Sequence, residues 1–548
     1  MENWILGILS VMFVAGYFYK AALHGQKKTM QDVWKQNKYE MAMAGIFLVG
    51  FLCRLLWIRT MPAGLNQDEA SAGYDAFAIL KHGMDRNGVS YPVHLIAWGS
   101  GQNIVYSWMV MPFIALFGLN EFTFRLPMAI LGCLGIVAFY FLLKNLTGKK
   151  ETLIGTAIFA ITPWHVMKSR WGLESNVFPE LILFFLVLFI IGLKKKDRKY
   201  YYGSFAILAL SVYSYGPSYF FVPFFLGAIL VYVVATKKIN WKELIGPCVM
   251  LLVLVTPMML FVMINTFDME QIKIGFITIP KLYASRHTEL ASVFSEDFIG
   301  TFSRNMKASF DIILKGEDGL PWNSISTYGI CYNFSLVFLI IGIVVSFAKT
   351  DWLKGRFFMN AWGVMAFLTM GIVEPNINRI NIVWIPLVYY VAVGIMACVR
   401  QSKLILKTVA VVYLAAFLMF SNKYFTTYQE DIGNYFFESF GDALEAAEEK
   451  NTDVVYITNE INAPYMLTLF YKQISPQEYR DTVTFSSQYT AFEQILSFGK
   501  YVFYIPENLD QPNAAYIVSN YYAAGLDRNV YDVTEFNHYS VVTLKNVG

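Results

Sequence analysis

Runs of roughly 15–20 apolar residues recur from near residue 4 to about 420, separated by short loops rich in lysine and arginine. A stretch of that length and character matches the hydrocarbon core of a bilayer when it is coiled as a helix. A transmembrane β-barrel would instead show alternation along each strand. Only 15% of the 548 residues are charged, against about 25% in a soluble domain, and the mean hydropathy is +0.44. The chain therefore reads as a polytopic α-helical membrane protein. The first apolar run follows Met1-Glu2 with no basic flank, and Ala21-Ala22-Leu23 is a poor cleavage site. It reads as a retained helix and not a signal peptide.

Spans are predicted at about 4–23, 41–58, 124–143, 152–167, 176–193, 200–215, 219–236, 244–264, 327–348, 357–373, 381–399 and 404–420. Residues 102–118 are the ambiguous piece. If they lie flat on the surface, the basic loops at Lys144/Lys149/Lys150, Lys194 to Lys199, Lys237/Lys238/Lys242, Lys349/Lys354/Arg356 and Arg400/Lys403/Lys407 all face inward. If they cross, every one of these loops faces outward. The positive-inside rule selects the flat arrangement. About twelve transmembrane helices follow, with outer-face interfacial helices and both termini outside. The outer loops include 59–123 and 265–326. This makes 1–420 a transmembrane domain.

From 421 the composition changes. Residues 421–548 hold seven Lys/Arg against seventeen Asp/Glu, a net charge of −10. Short β-rich runs at 454–457, 501–505 and 540–544 alternate with helical patterns at 435–449 and 462–472, predicting a small extracytoplasmic soluble α/β domain. The five cysteines all fall in or beside apolar runs, as small buried side chains do, and form neither a disulfide framework nor a metal motif. No basic nucleic-acid footprint and no phosphate-binding glycine loop is present.

The candidate chemistry begins six residues beyond the second span, at Gly64-Leu65-Asn66-Gln67-Asp68-Glu69. The topology collects other polar groups on the same face. These are the cations Arg170, Arg286, Arg304 and Arg379, the carboxylate Glu174, and Gln102, Asn103, His165, Asn378 and Asn381. Carboxylates among cations beside a bilayer suit transfer of a sugar from a polyprenyl phosphate to a hydroxyl. Arginines stabilise the departing phosphate, and a carboxylate on the opposite side of the sugar accepts the proton of the attacking hydroxyl. The expected outcome is inversion at C1. The chemistry calls for no cofactor of necessity, and a divalent metal stays open as an addition, with Asp68, Glu69 and Glu174 a weak ligand set for it.

The chain resembles the GT-C superfamily of membrane glycosyltransferases, in its protein O-mannosyltransferase and lipid A aminoarabinose transferase-like family. Asp68-Glu69 resembles that family's Asp-Glu loop. Gly118-Leu119-Asn120-Glu121-Phe122-Thr123-Phe124-Arg125-Leu126-Pro127 resembles its Arg-Leu-Pro stretch. Thr162-Pro163-Trp164-His165 and Ser169-Arg170-Trp171-Gly172-Leu173-Glu174 resemble the outer end of the next hairpin. The resemblance implies that Asp68 is the general base, the donor a polyprenyl-phosphate-linked sugar, and the acceptor a hydroxyl on protein, lipid or cell-envelope glycan. It also implies work at the outer face of the plasma membrane. One departure stands out: relatives often place a cation where this chain has Trp98-Gly99-Ser100-Gly101-Gln102-Asn103. Phosphate binding is then expected from Arg286, Arg304, Arg379 or Arg170, and sugar or acceptor contacts from Gln102, Asn103, His165, Glu174, Asn378 and Asn381.

Several of these residues have simpler readings. Asn66 followed three residues later by Glu69 is a capping-box pattern, so Glu69 is either catalytic or a helix cap. Arg170 and Glu174, four apart, suit an ion pair on one helix face. His165 beside Trp164 suits an interfacial anchor, and Lys168 a headgroup contact. Arg379 at a span end suits snorkelling. Two rival functions stay open. A lipid-linked-sugar transporter would need ionisable groups within the spans, where Arg54 is the clearest. A non-catalytic scaffold would use the acidic C-terminal segment to hold a partner.

Overall fold

The computed structural model describes residues 2–22, 37–284, 292 and 295–545. A helix stands at each predicted span: Glu2–Ala22, Lys38–Leu55, Glu121–Leu146, Lys149–Ile161, Glu174–Lys195, Arg198–Val212, Ser218–Ala235, Lys242–Thr266, Leu336–Phe347, Arg356–Ile372, Trp384–Gln401 and Lys403–Phe425. Among the described helices, six are by themselves long and apolar enough to cross a membrane. Lys403–Phe425 has only 17% of its most apolar window buried, leaving Leu404, Val411, Leu414, Leu418 and Met419 bare. A surface of that kind is stable against lipid, not water.

Two spans differ from their predicted form. The run at 152–167 breaks after Ile161: Thr162 is extended, and a short helix, Pro163–Lys168, follows. Pro163 has no N–H to donate and disfavours helix at the residue before it. The run at 327–348 becomes α-helical only at Leu336, after a 3-10 turn over Asn333–Ser335 and a left-handed Tyr332. Val105–Phe117 has 13 residues. At 1.5 Å per residue it is about 20 Å long, short of the roughly 30 Å hydrocarbon core; Lys149–Ile161, also 13 residues, and Leu336–Phe347, with 12, are equally short as α-helices alone.

The chain forms two compact units. One draws on Met1–Ile58, Met128–Thr256 and His287–Tyr424, the other on Arg59–Pro127, Pro257–Arg286 and Phe425–Gly548. The first is a helical body whose most deeply buried side chains include Trp164, Trp362, Trp384, Arg54 and Arg170.

The second unit combines the loop carrying Asp68 with the C-terminal segment. Its strands are β1 (Ile272–Ile274), β2 (Ile277–Ile279), β3 (Val454–Ile457), β4 (Thr484–Ser487), β5 (Gln494–Phe498), β6 (Tyr501–Val502), β7 (Ala514–Ser519), β8 (Tyr531–Glu535) and β9 (Tyr539–Leu544). β1 and β2 form a hairpin. The others make one sheet in the order β4-β5-β6-β3-β7-β9-β8. β3 runs parallel to both β6 and β7, while the outer pairings are antiparallel. β7 lies near the centre and buries Ala514 through Val518 continuously, as a strand covered on both faces must. Helices Phe440–Glu449 and Pro464–Lys472 belong to the same unit.

Candidate active site

Asp68 and Glu69 open the helix Gln67–His82. Asn66 is extended and serves as its N-cap: its side chain accepts from Asp68 N at 2.9 Å, while its own N–H donates to Glu69 Oε2 at 3.4 Å. That is a complete capping box, and left-handed Gly83 closes the other end. The start of the helix is fixed from outside as well. Leu65 N donates to Phe436 O at 2.5 Å, and Gly64 has φ +79. A side chain at position 64 would be strained in that conformation and would strike the Phe436 carbonyl.

The two acids have different surroundings. Glu69 is fully buried and held by a two-pronged Arg125 fork, Nε to Oε1 at 3.0 Å and Nη2 to Oε2 at 2.7 Å. Arg125 also donates to Pro62 O at 2.8 Å and Gly64 O at 2.6 Å. Glu69 is thus committed to holding the loop. Asp68 is half-buried, and among the described residues its carboxylate accepts no hydrogen bond. Burial, and then the adjacent Glu69 charge, push its pKa up to about 6. A carboxylate of that kind is ionised at neutral pH and a stronger base than an ordinary aspartate.

A pH dependence follows. Below about pH 6 Asp68 gains a proton, so a reaction that uses it as base should slow about tenfold per further pH unit. The check is a pH–rate profile from pH 4.5 to 8.5. Asp85, pushed up to about 7 by burial and by Asp75, titrates close to the same range. The profile of Asp68→Glu assigns the limb: it moves if Asp68 is the group and stays if Asp85 is.

Gln102 packs against the same helix. It accepts from Ser71 Oγ at 2.9 Å, and its Nε2 reaches Asp68 O at 3.4 Å. Asn103 is buried, and its Nδ2 has no partner among the described residues.

The remaining sequence candidates lie in the other unit, apart from Arg286, which falls outside the described residues. His165 is fully buried between Arg54, which meets its Nδ1, and Glu180, 2.8 Å from its Nε2. Lys168 also reaches Glu180 Oε1, at 2.7 Å, and is buried within the protein and not exposed to a headgroup. Arg170 is buried and donates to Cys53 O at 2.8 Å. Glu174 starts the helix Glu174–Lys195. Asn381 bonds Ser175 O and Asn176 Oδ1, each at 3.0 Å, so it returns to that helix start. Asn378 bonds Asn323 at 2.6 Å. Arg379 pairs with Glu374, and Arg304 with Asp297 on the exposed face of Phe298–Lys315. No group of three or more His, Cys, Asp or Glu that could hold a metal occurs among the described residues.

Four functional-looking positions escape the sequence reading. Arg125 lies within the Arg-Leu-Pro stretch but gains meaning only when folding brings it to Glu69. Glu180 is a carboxylate inside an apolar run, a signal that was available. Asp75 and Arg86, an ion pair at 3.4 Å and fully buried, look like ordinary loop charges until packing removes them from water.

Residues 102–264 match the family model for dolichyl-phosphate-mannose-protein mannosyltransferases. No curated protein matches the chain. Among solved structures, ArnT from Cupriavidus metallidurans bound to undecaprenyl phosphate is 14% identical, with 92% of this chain and 97% of that chain covered and a TM-score of 0.54. The archaeal oligosaccharyltransferase AglB from Archaeoglobus fulgidus, in complex with an inhibitory peptide and a dolichol-phosphate, is 12% identical, with 80% and 64% covered and a TM-score of 0.49. The fold is that of the GT-C superfamily, a class of polytopic membrane glycosyltransferases. Within that fold, residues 102–264 are the part similar to the protein mannosyltransferase family.

Proposed function

We propose that this protein is an inverting glycosyltransferase that moves a sugar from a polyprenyl phosphate to a hydroxyl acceptor at the extracytoplasmic face of the membrane. The observation that carries this reading is the division of labour at 68–69. One acid is locked by arginine, while its neighbour is half-buried, accepts no hydrogen bond among the described residues and has a raised pKa. Asp68 takes the proton of the acceptor hydroxyl as that oxygen attacks C1. The bond from C1 to the phosphate oxygen breaks, and the lipid phosphate leaves with its electron pair. The presence of undecaprenyl phosphate on the ArnT structure supports a lipid phosphate as the leaving group. The positive-inside distribution of the basic loops supports an outer-face reaction.

Among the arginines, Arg379 is our candidate for the donor phosphate. It is only 29% exposed, and its partner Glu374 is 62% exposed, so an incoming phosphate can displace that carboxylate. Arg304 is 68% exposed, and a surface pair of that kind is weak.

The test uses the full-length protein in lipid vesicles, with polyprenyl-phosphate sugars as donors and cell-envelope glycans, lipids and peptides as acceptors. Transfer with inverted anomeric configuration is expected. Arg379→Ala should raise the donor KM about tenfold or more, as loss of a charge-assisted phosphate contact does. Retained configuration would overturn the mechanism. Transport is the second reading, because Arg54, His165, Lys168 and Glu180 form a buried ionisable network in the helical unit. Flipping of the lipid-linked sugar without transfer to any acceptor would favour it.

A further inference from the structure

The mechanism leaves one buried charged cluster in the second unit unused. Arg86 follows the helix Gln67–His82 and is 2% exposed. Its Nη1 lies 3.4 Å from Asp75 Oδ2, and its backbone N–H donates to Asp75 Oδ1 at 3.1 Å. Its Nε donates to Ala97 O at 3.3 Å, and the guanidinium lies over the Trp98 ring. The remaining contacts run in two directions. Nη2 donates to Ser71 Oγ at 2.9 Å, and Nη1 reaches Met466 Sδ at 2.9 Å on the C-terminal helix Pro464–Lys472.

Ser71 turns this into a relay of position. Its hydroxyl accepts from Arg86 and donates to Gln102 Oε1, and Gln102 in turn donates to the backbone carbonyl of Asp68. Ser71 also sits three residues after Asp68, one turn along the same face. The C-terminal helix bears on the far side of this relay. Its Phe470 ring packs on Gly73, and Tyr74 Oη donates to Ile474 O at 2.7 Å. A fully desolvated guanidinium is costly to bury unless its partners are kept, so loss of any of these contacts is expected to disturb the others.

We propose that Arg86 is a positioning residue for sugar transfer: by way of Ser71 and Gln102 it couples the C-terminal helix Pro464–Lys472 to the placement of Asp68. The C-terminal segment is then part of the catalytic framework and not a detachable partner-binding domain. This rests on Asp68 acting as base. Arg86 itself touches neither donor nor acceptor in this scheme. Its loss should change the rate of the chemical step and not donor affinity.

The experiment compares Arg86→Lys, Ser71→Ala, Gln102→Ala and the Ser71→Ala/Gln102→Ala double variant with wild type, full length in vesicles. Each single variant should lower kcat about 10- to 100-fold, the scale expected for a misplacement near 1 Å, with donor KM within about twofold. The double variant should be no worse than the poorer single one, because both act through one path. Ser71→Ala removes a single oxygen and keeps the test alive if Arg86→Lys does not fold. Unchanged kcat in Ser71→Ala, multiplicative losses in the double variant, or a rise in donor KM at constant kcat would each overturn the proposal. Asp68→Asn is run alongside. If it stays active, the mechanism itself has failed; if it is inactive while Ser71→Ala is normal, only the positioning role has failed.

Discussion

Asp68→Asn is expected to lower kcat by about 10²- to 10⁴-fold, the usual contribution of a general base, with donor KM little changed. The substitution preserves shape but cannot accept the acceptor's proton. It should not destabilise the protein, and the sign can be worked out. Asp68 has a folded-state pKa near 6, above its ordinary value of 3.8. The folded state therefore holds this proton more tightly than the unfolded chain does. Stability from this group falls as pH rises between those two values, and above about 6 the ionised side chain is a net cost to folding. A neutral asparagine removes that cost. Thermal unfolding at pH 7.5 should thus give an unchanged or higher midpoint alongside the lost activity. A fully active Asp68→Asn protein would sink the mechanism.

The legible parts of the chain are those whose physics is local or periodic. Helices at the twelve predicted positions follow from hydropathy, because a long apolar helix writes itself directly into composition, although among the described helices only six are by themselves long and apolar enough to cross a membrane. Asn66 and Glu69 announce the helix start at a fixed spacing, and the structure forms that box. The breaks at Pro163 and before Leu336 are where smooth hydropathy misleads, since the window averages over the residue that stops the helix. In the C-terminal segment β3 and β9 are visible as β-branched runs. β4, β5 and β8 are edge or near-edge strands with mixed exposure and carry a weak signal. β7 is missed although it is continuously buried: Ala514-Ala515-Tyr516-Ile517-Val518 reads equally well as buried helix.

The candidate site is legible only by halves. Asp68 can be found because it is a charge beside a span, and its neighbourhood on the chain is short. Its supports cannot be found that way. Phe436 reaches Leu65, Met466 reaches Arg86 and Ile474 reaches Tyr74, each from more than 350 residues away, and no spacing rule connects them. The family resemblance sets Trp164-His165 and Arg170 at the outer end of a hairpin, yet His165 and Lys168 are buried against Glu180. The charge that decides that orientation lies one helix later and is hidden among apolar neighbours.

Arg125→Met is expected to be the most destabilising substitution in the second unit. Arg125 and Glu69 both have side chains at 0% exposure. Removing one partner of such a pair leaves an uncompensated buried charge, at a cost of about 3–5 kcal/mol. Here the loss is larger than for a simple pair, because the carbonyls of Pro62 and Gly64 also lose a donor. Glu69→Gln keeps the shape and one acceptor oxygen, so it should cost less than Arg125→Met. The double Glu69→Gln/Arg125→Met variant should cost less than the sum of the two, since no buried carboxylate is then stranded. Thermal unfolding and limited proteolysis in detergent measure all three. The same variants should lose transfer activity below their unfolding temperature. The carbonyls that Arg125 holds belong to the loop that sets Asn66, and Asn66 is the cap on which the Asp68 helix begins. An Arg125→Met protein with wild-type stability and wild-type kcat would show that the fork holds neither the loop nor the base.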